Sequence, residues 1–303
     1  MFLIIILIVV LVYVAFQRVE GFTTDKKIMD KKALICYYGG SFREGGSSSI
    51  TNDTKFGYNT QENASITHAK LKQVLNDKGY QTDILISTRS TKYSNKLESW
   101  YEPYNMILNK ISEKMHGKDY MIQTTVDNIN KLNKYDYDFI LFVRIDLFLK
   151  PDFFKILNVE TDKIEFIANN YDPMTCKKIN SANDPEIVDL FALIPKKYFY
   201  ILDKHFEINH NSWTYYKKQY KLKDSDMKFM TNESFDSNSY KELNDYYVMS
   251  SRKESTHKYN TEPLDFKNKK NSKKCPKYNP YKQTFINEPS QYYLNKYTQF
   301  YNL

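Results

Sequence analysis

Residues 135–151 read Tyr-Asp-Tyr-Asp-Phe-Ile-Leu-Phe-Val-Arg-Ile-Asp-Leu-Phe-Leu-Lys-Pro. Phe139, Ile140, Leu141, Phe142 and Val143 form a continuous apolar run, too short for a buried helix and rich in β-formers. Such a run predicts a central strand covered on both faces, the signature of a parallel sheet with helices on either side. Arg144 and Asp146 follow directly, so a guanidinium and a carboxylate stand at the carboxyl end of a buried strand. Open α/β sheets gather charged ligands at that edge. The plainer alternative is that Arg144 and Asp146 pair with each other or with a neighbouring loop.

Working outward, residues 33–38 predict a first strand ended by Gly39 and Gly40, and residues 82–87 a second. Between them, residues 43–63 are rich in Gly, Ser, Asn and Thr and read as a long loop. Ser65 is placed to cap a helix over 66–78, with Ile66, Ala69, Val74 and Leu75 inward and Gly79 as its stop. A helix is expected within residues 100–116. Another is expected over 119–132, where Ile122, Val126, Ile129 and Leu132 share one face. Residues 163–168 and 187–194 are strand candidates, and Pro195 opens a helix to about residue 206. The fold class that results is α/β with a mostly parallel central sheet flanked by helices.

Residues 2–16 are an unbroken apolar run, just short of the roughly 17–25 residues of a spanning helix. We read residues 1–22 as a single N-terminal membrane anchor, 23–32 as a linker and 33–303 as one domain. A cleaved signal peptide is the rival, weakened by the absence of Lys or Arg before the run and of a small-residue cleavage site. Arg18, Lys26, Lys27, Lys31 and Lys32 all follow the span, and the positive-inside rule would hold that flank cytoplasmic. A lumenal enzyme shows the opposite bias, so the side of the membrane stays open. The sequons at Asn52, Asn63 and Asn232 would be modified only in a secretory lumen.

The 303-residue chain carries a formal charge of +8 and 16% aromatic residues, which favours a folded domain with anionic partners. The basic stretch 267–277 reads as a solvated loop. No RNP, zinc-finger or helix-turn-helix pattern accompanies it, so nucleic acid is not the expected partner. The three cysteines are too few and too scattered for a disulfide framework or a CxxC zinc site. P-loop and GxSxG patterns are absent, as is HExxH among the five histidines.

From about residue 33 to 202 the chain resembles the nucleotide-sugar glycosyltransferases of the GT-A fold. Within them it is similar to the group whose central strand ends in Arg-x-Asp-Leu where others carry Asp-x-Asp; here the motif is Arg144-Ile145-Asp146-Leu147. The resemblance implies a GT-A-like sheet and transfer of a sugar from a nucleotide-sugar donor to a glycan, protein or lipid acceptor. It assigns Asp146 to a divalent cation, manganese or magnesium, held against the donor diphosphate. Arg144 stands where the first aspartate of Asp-x-Asp would be, and Phe148 adds no carboxylate, so the carboxylate set for that cation is incomplete.

Leaving-group charge can be met by a metal or by arginines, which makes Arg144 a catalytic candidate. Gly39, Gly40 and Arg43 after the first strand, and Arg89 after the second, are donor-binding candidates. A plain turn and a surface arginine are their ordinary alternatives. Asp189 interrupts the 187–194 strand, and the resemblance makes it the candidate acceptor base, with an ion pair as the alternative. Glu233 and His257 are more remote possibilities. The competing function is a non-catalytic, membrane-anchored binding or structural protein on a degenerate version of the same fold.

Overall fold

The computed structural model describes residues 31–44, 51–52, 54–109, 117–167, 171–172, 177–178, 180–181, 184–185, 187, 190–203, 212–230, 247–249 and 289–302. The expected anchor 1–22, Asp189, Glu233 and His257 lie outside the described residues. Among the described residues, no helix is long and apolar enough to cross a membrane.

Strands β1 (Lys31–Gly39), β2 (Tyr80–Arg89), β3 (Asn105–Asn109) and β4 (Phe139–Arg144) are all parallel. β5 (Leu147–Leu149) leaves the sheet to pair with β9 (Tyr247–Met249). β6 (Ile164–Phe166), β7 (Phe191–Pro195) and β8 (Met227–Phe229) complete a seven-stranded sheet in the order β8-β6-β7-β4-β1-β2-β3. β7 runs against both of its neighbours, while β8 pairs parallel with β6. The sheet is therefore mixed but mostly parallel, as the apolar run at 139–143 implies.

Alternation along the strands divides the core. Ile35, Tyr37, Leu141, Val143 and Leu193 face one side with Leu71 and Leu75 of helix α1 (Lys55–Asp77) and Phe153 of the short helix α4 (Pro151–Ile156). Leu34, Cys36, Phe142, Ala192 and Ile194 face the other, with Ile122, Val126 and Ile129 of helix α3 (Gly117–Ile129) and Trp213 of α5 (Ser212–Gln219). Burying each large apolar side chain contributes roughly 1.5–3 kcal/mol, so β4, buried from Phe139 to Val143, is strongly fixed between the layers. Ile122, Val126 and Ile129 share the expected face of α3, while the helix ends at Ile129, so Leu132 follows it as a partly buried turn residue. Cys36 is free and buried, and burial pushes its thiol pKa well up.

Several boundaries differ from expectation. The helix expected over 66–78 starts instead at Lys55, capped by Thr54, whose Oγ1 accepts from the Gly57 N–H at 2.9 Å. Its first turns bury Thr60, Gln61, Asn63, Ser65, Thr67 and His68, polar residues that carry no apolar periodicity. A Cβ on Gly57 would lie 2.2 Å from the Phe42 carbonyl oxygen, so glycine lets the chain after β1 pack directly on the helix. Ala69, expected inward, is exposed. A helix is expected within 100–116, but only the end of α2 (Ser94–Tyr101) falls there among the described residues, and it stops where Glu102 turns left-handed at φ 44. The edge strand β3 then follows; residues 110–116 lie outside the described residues. The expected helix after Pro195 is a 3-10 turn, Lys196–Leu202. β1 begins at Lys31, inside the expected linker.

The last helices, α6 (Pro289–Lys296) and α7 (Thr298–Tyr301), brace α1 and β5. Asn63 donates its amide to Ser290 Oγ (3.3 Å) and Gln291 Oε1 (3.1 Å), and Tyr301 donates to the Leu149 carbonyl. Asn63 is thereby buried and tied, so its sequon is closed to modification in the folded chain.

Candidate functional site

Because β1, β2 and β4 are adjacent and parallel, their carboxyl ends meet at one edge. The register puts Tyr38 beside both Ser87 and Arg144, and Gly39 beside Thr88. Arg89 lies two residues beyond Ser87 on the same face as Arg144, and with one strand between them the two backbones stand about 11–12 Å apart.

The chain turns sharply after β4. Arg144 N–H donates to the Leu190 carbonyl (3.0 Å) and Ile145 N–H to the Tyr38 carbonyl (2.8 Å). Asp146 then folds back on Arg144, accepting Nε at Oδ1 and Nη2 at Oδ2, both at 2.9 Å. Arg43 adds a third cationic contact, with Nη1 3.7 Å from Oδ2. Asp146 is 1% exposed. A bidentate guanidinium–carboxylate pair is among the stronger charge-assisted contacts, and burial makes losing one partner costly. The plainer expectation, that Arg144 and Asp146 pair, is thus met; the pair also stands in a larger cationic cluster.

Gly39 and Gly40 shape the other wall. Gly39 has φ +108°, a left-handed conformation that favours glycine. A Cβ on Gly40 would lie 2.5 Å from Arg43 Cδ, so the stem of Arg43 fills the space of the missing side chain on its way towards Asp146. The turn is held by Thr88, whose Oγ1 donates to the Gly39 carbonyl (2.8 Å) and accepts from Ser41 N–H (3.0 Å).

Arg89 is the arginine that β2 brings to this edge. It is 8% exposed, and among the described residues its buried Nη1 has no hydrogen-bond partner. Burial lowers its pKa from the ordinary value, although an arginine stays charged. A buried, charged donor without a protein partner is costly, and such groups mark places where an anion or water completes the structure.

Sequence reasoning missed what positions Asp146. Gln61 and His68 lie seven residues apart on α1, hence on one face. Gln61 Nε2 donates to the Ile145 carbonyl (2.9 Å), and His68 Nε2 is 2.8 Å from that of Leu147. Because that carbonyl can only accept, His68 carries its proton on Nε2, and Nδ1 accepts from Tyr101 Oη at 2.8 Å. Tyr101 Oη accepts in turn from Gln61 (3.2 Å). The two carbonyls flanking Asp146 are therefore gripped by one helix face. Tyr37 stacks on the His68 ring at 4.4 Å. Burial drives the His68 pKa down to about 3, against smaller upward pulls from the Leu147 hydrogen bond and the Asp146 charge. Its imidazole is neutral and structural. The one sequence signal was the polar run Thr60–His68 itself, too polar for an ordinary core helix.

The donor set does not fit the cation that the resemblance implies. Both oxygens of Asp146 already accept guanidinium hydrogens, and no group of three or more His, Cys, Asp or Glu placed to hold a metal occurs among the described residues. A divalent ion about 4 Å from one guanidinium would be repelled by roughly 8 kcal/mol at an effective dielectric of about 20. Asp189 lies outside the described residues, although Leu190, its neighbour in sequence, reaches Arg144.

No protein-family model matches the chain, and no curated protein matches it by sequence. Among solved structures it is similar to a point mutant of Drosophila β1,4-galactosyltransferase 7 in complex with manganese, UDP-Gal and xylobiose. There the identity is 12%, 72% of this chain and 70% of the other are covered, and the TM-score is 0.37. It is also similar to 4-diphosphocytidyl-2C-methyl-D-erythritol synthase from Anaerococcus prevotii, at 15% identity, 67% and 94% coverage and TM-score 0.36. A third is a glycosyltransferase involved in glycosylation of the major capsid of PBCV-1, at 6% identity, 57% and 63% coverage and TM-score 0.31. Likenesses this distant carry no argument about what the chain does.

Proposed function

We propose that this chain is a membrane-anchored glycosyltransferase of GT-A type, moving a sugar from a nucleotide-sugar donor to a glycan, protein or lipid acceptor. The observation that carries the reading is the gathering of Arg43, Arg89 and Arg144 around the carboxyl ends of three adjacent parallel strands, with Arg89 buried and short of a partner. Ligands bind at that edge in open α/β sheets, and a preorganised positive cluster suits a diphosphate whose charge grows as the sugar leaves. In this reading Arg144 and Arg43 face the leaving diphosphate, Arg89 binds the donor, and Gly39 and Gly40 admit the nucleotide beside β1. Asp189 remains the proposed base for the acceptor hydroxyl. Residues 1–22 would hold the catalytic domain at a membrane where such acceptors reside.

The test is release of free nucleotide when the full chain is incubated with UDP-, GDP- and CMP-sugars and a glycan mixture. Release from one donor, abolished in Arg144→Ala, is the expected result. No release from any donor would favour the non-catalytic binding protein.

A further inference from the structure

Glycosyl transfer breaks the bond between the donor sugar's C1 and the oxygen of its terminal phosphate, and both electrons stay on that oxygen. The acceptor oxygen bonds to C1 and its proton goes to a base. The departing nucleoside diphosphate therefore gains one negative charge, which the site must meet.

Here the carboxylate that the Arg-x-Asp-Leu resemblance assigns to a cation already has both oxygens engaged by guanidiniums. Asp146 holds Arg144 through two bonds of 2.9 Å and Arg43 at 3.7 Å. This leaves Asp146 poorly placed to accept a metal and well placed to fix two arginines in a single geometry. Gln61 and His68, which grip the carbonyls of Ile145 and Leu147, extend that rigidity into α1. Arg89, more than nine-tenths buried on the same sheet face as Arg144, presents a donor that no described residue takes up.

We infer that the departing diphosphate is neutralised by guanidinium groups in place of a divalent cation, with Asp146 as the anchor of Arg144 and Arg43, and with Arg89 as the unpartnered donor that takes up the diphosphate. The inference rests on the transferase reading above. Asp146 is then a positioning residue, and the ligand class is a nucleoside diphosphate bound without metal. The bidentate fork of an arginine suits two phosphate oxygens, which a lysine ammonium cannot match.

The experiment is calorimetric titration of the full chain with UDP, GDP and inorganic pyrophosphate in EDTA, repeated for the two nucleotides with excess manganese. The expected result is saturable binding of one nucleotide and of pyrophosphate in EDTA, changed less than about threefold by manganese. Arg89→Ala should weaken it by about tenfold or more, as loss of one charge-assisted hydrogen bond implies, and Arg89→Lys should restore only part. The melting temperature of each variant without ligand shows that it is folded. Nucleotide binding that needs manganese would overturn the inference and leave the transferase reading standing, as would full affinity in folded Arg89→Ala. No binding of any probe, with or without manganese, would overturn both.

Discussion

Asp146 and Glu165 are both buried carboxylates of the same sheet region, yet their surroundings have little in common. Asp146 sits in the turn after β4, doubly bonded to Arg144, approached by Arg43 and flanked by carbonyls that α1 grips. Glu165 is the middle residue of the three-residue strand β6, and its cationic contact is Lys228 at 3.1 Å, a side chain 49% exposed on the edge strand β8. Its second oxygen is buried without a partner among the described residues. Burial raises the Glu165 pKa above the ordinary carboxylate value, and Lys228 opposes that only in part. One carboxylate organises a charged cluster at an edge where ligands bind. The other tolerates burial by leaning towards its neutral form.

The comparison breaks most visibly at Arg144. Arg144→Ala leaves Asp146 buried with Arg43 at 3.7 Å as its remaining described cation, and should cost about 3–5 kcal/mol, measured by chemical denaturation. A loss below about 1 kcal/mol would place Asp146 in a far wetter setting than the structure gives it. Next in size is His68→Ala, which removes the His68 donor from the Leu147 carbonyl, leaves the Tyr101 hydroxyl proton without its acceptor and opens a cavity under Tyr37. It should cost about 2–4 kcal/mol and reduce nucleotide release as well, since Asp146 loses half of its grip. Lys228→Ala should cost only about 1 kcal/mol or less, because that lysine is half in water and Glu165 can take up a proton.

Smallest in size but opposite in sign is Glu165→Gln. A raised folded pKa means the native state holds its proton more tightly than the unfolded chain. The stability this confers is complete below the ordinary carboxylate value of about 4.3 and is lost as pH rises through the raised value. Glu165→Gln removes that loss, so its melting temperature at neutral pH should equal or exceed that of the parent. His68 has the reverse dependence. Its pKa is depressed to about 3, so its contribution is present above the ordinary value of about 6.5 and fades as pH falls towards the folded value. Melting curves between about pH 4 and 7 should therefore show an acid-side decline that is shallower in His68→Gln.

The legible parts of this molecule were those with simple periodicity. Phe139–Val143 announced a central parallel strand, and Ile122, Val126 and Ile129 announced α3. The first turns of α1 did not, because Thr60, Gln61, Asn63, Thr67 and His68 are buried through hydrogen bonds, and polar burial leaves no apolar stripe. β8 was hidden for another reason: three residues at a sheet edge carry too little pattern to separate from a loop. At the site, residue types were readable and geometry was not. Arg144 and Asp146 could be named from the strand end, but that their side chains close on each other depends on the turn at Ile145, which Tyr38, Gln61 and Leu190 fix from three distant parts of the chain.

The diphosphate site is tested most sharply by a thermal-shift panel of the full chain against UDP- and GDP-sugars, run in parallel on Arg89→Ala. A ligand that binds the native state raises its melting temperature. A saturable rise with one nucleotide sugar, lost in a folded Arg89→Ala, is the expected result. An equal rise in that variant, or no rise with any sugar nucleotide, would contradict a diphosphate site at the carboxyl edge of β1, β2 and β4.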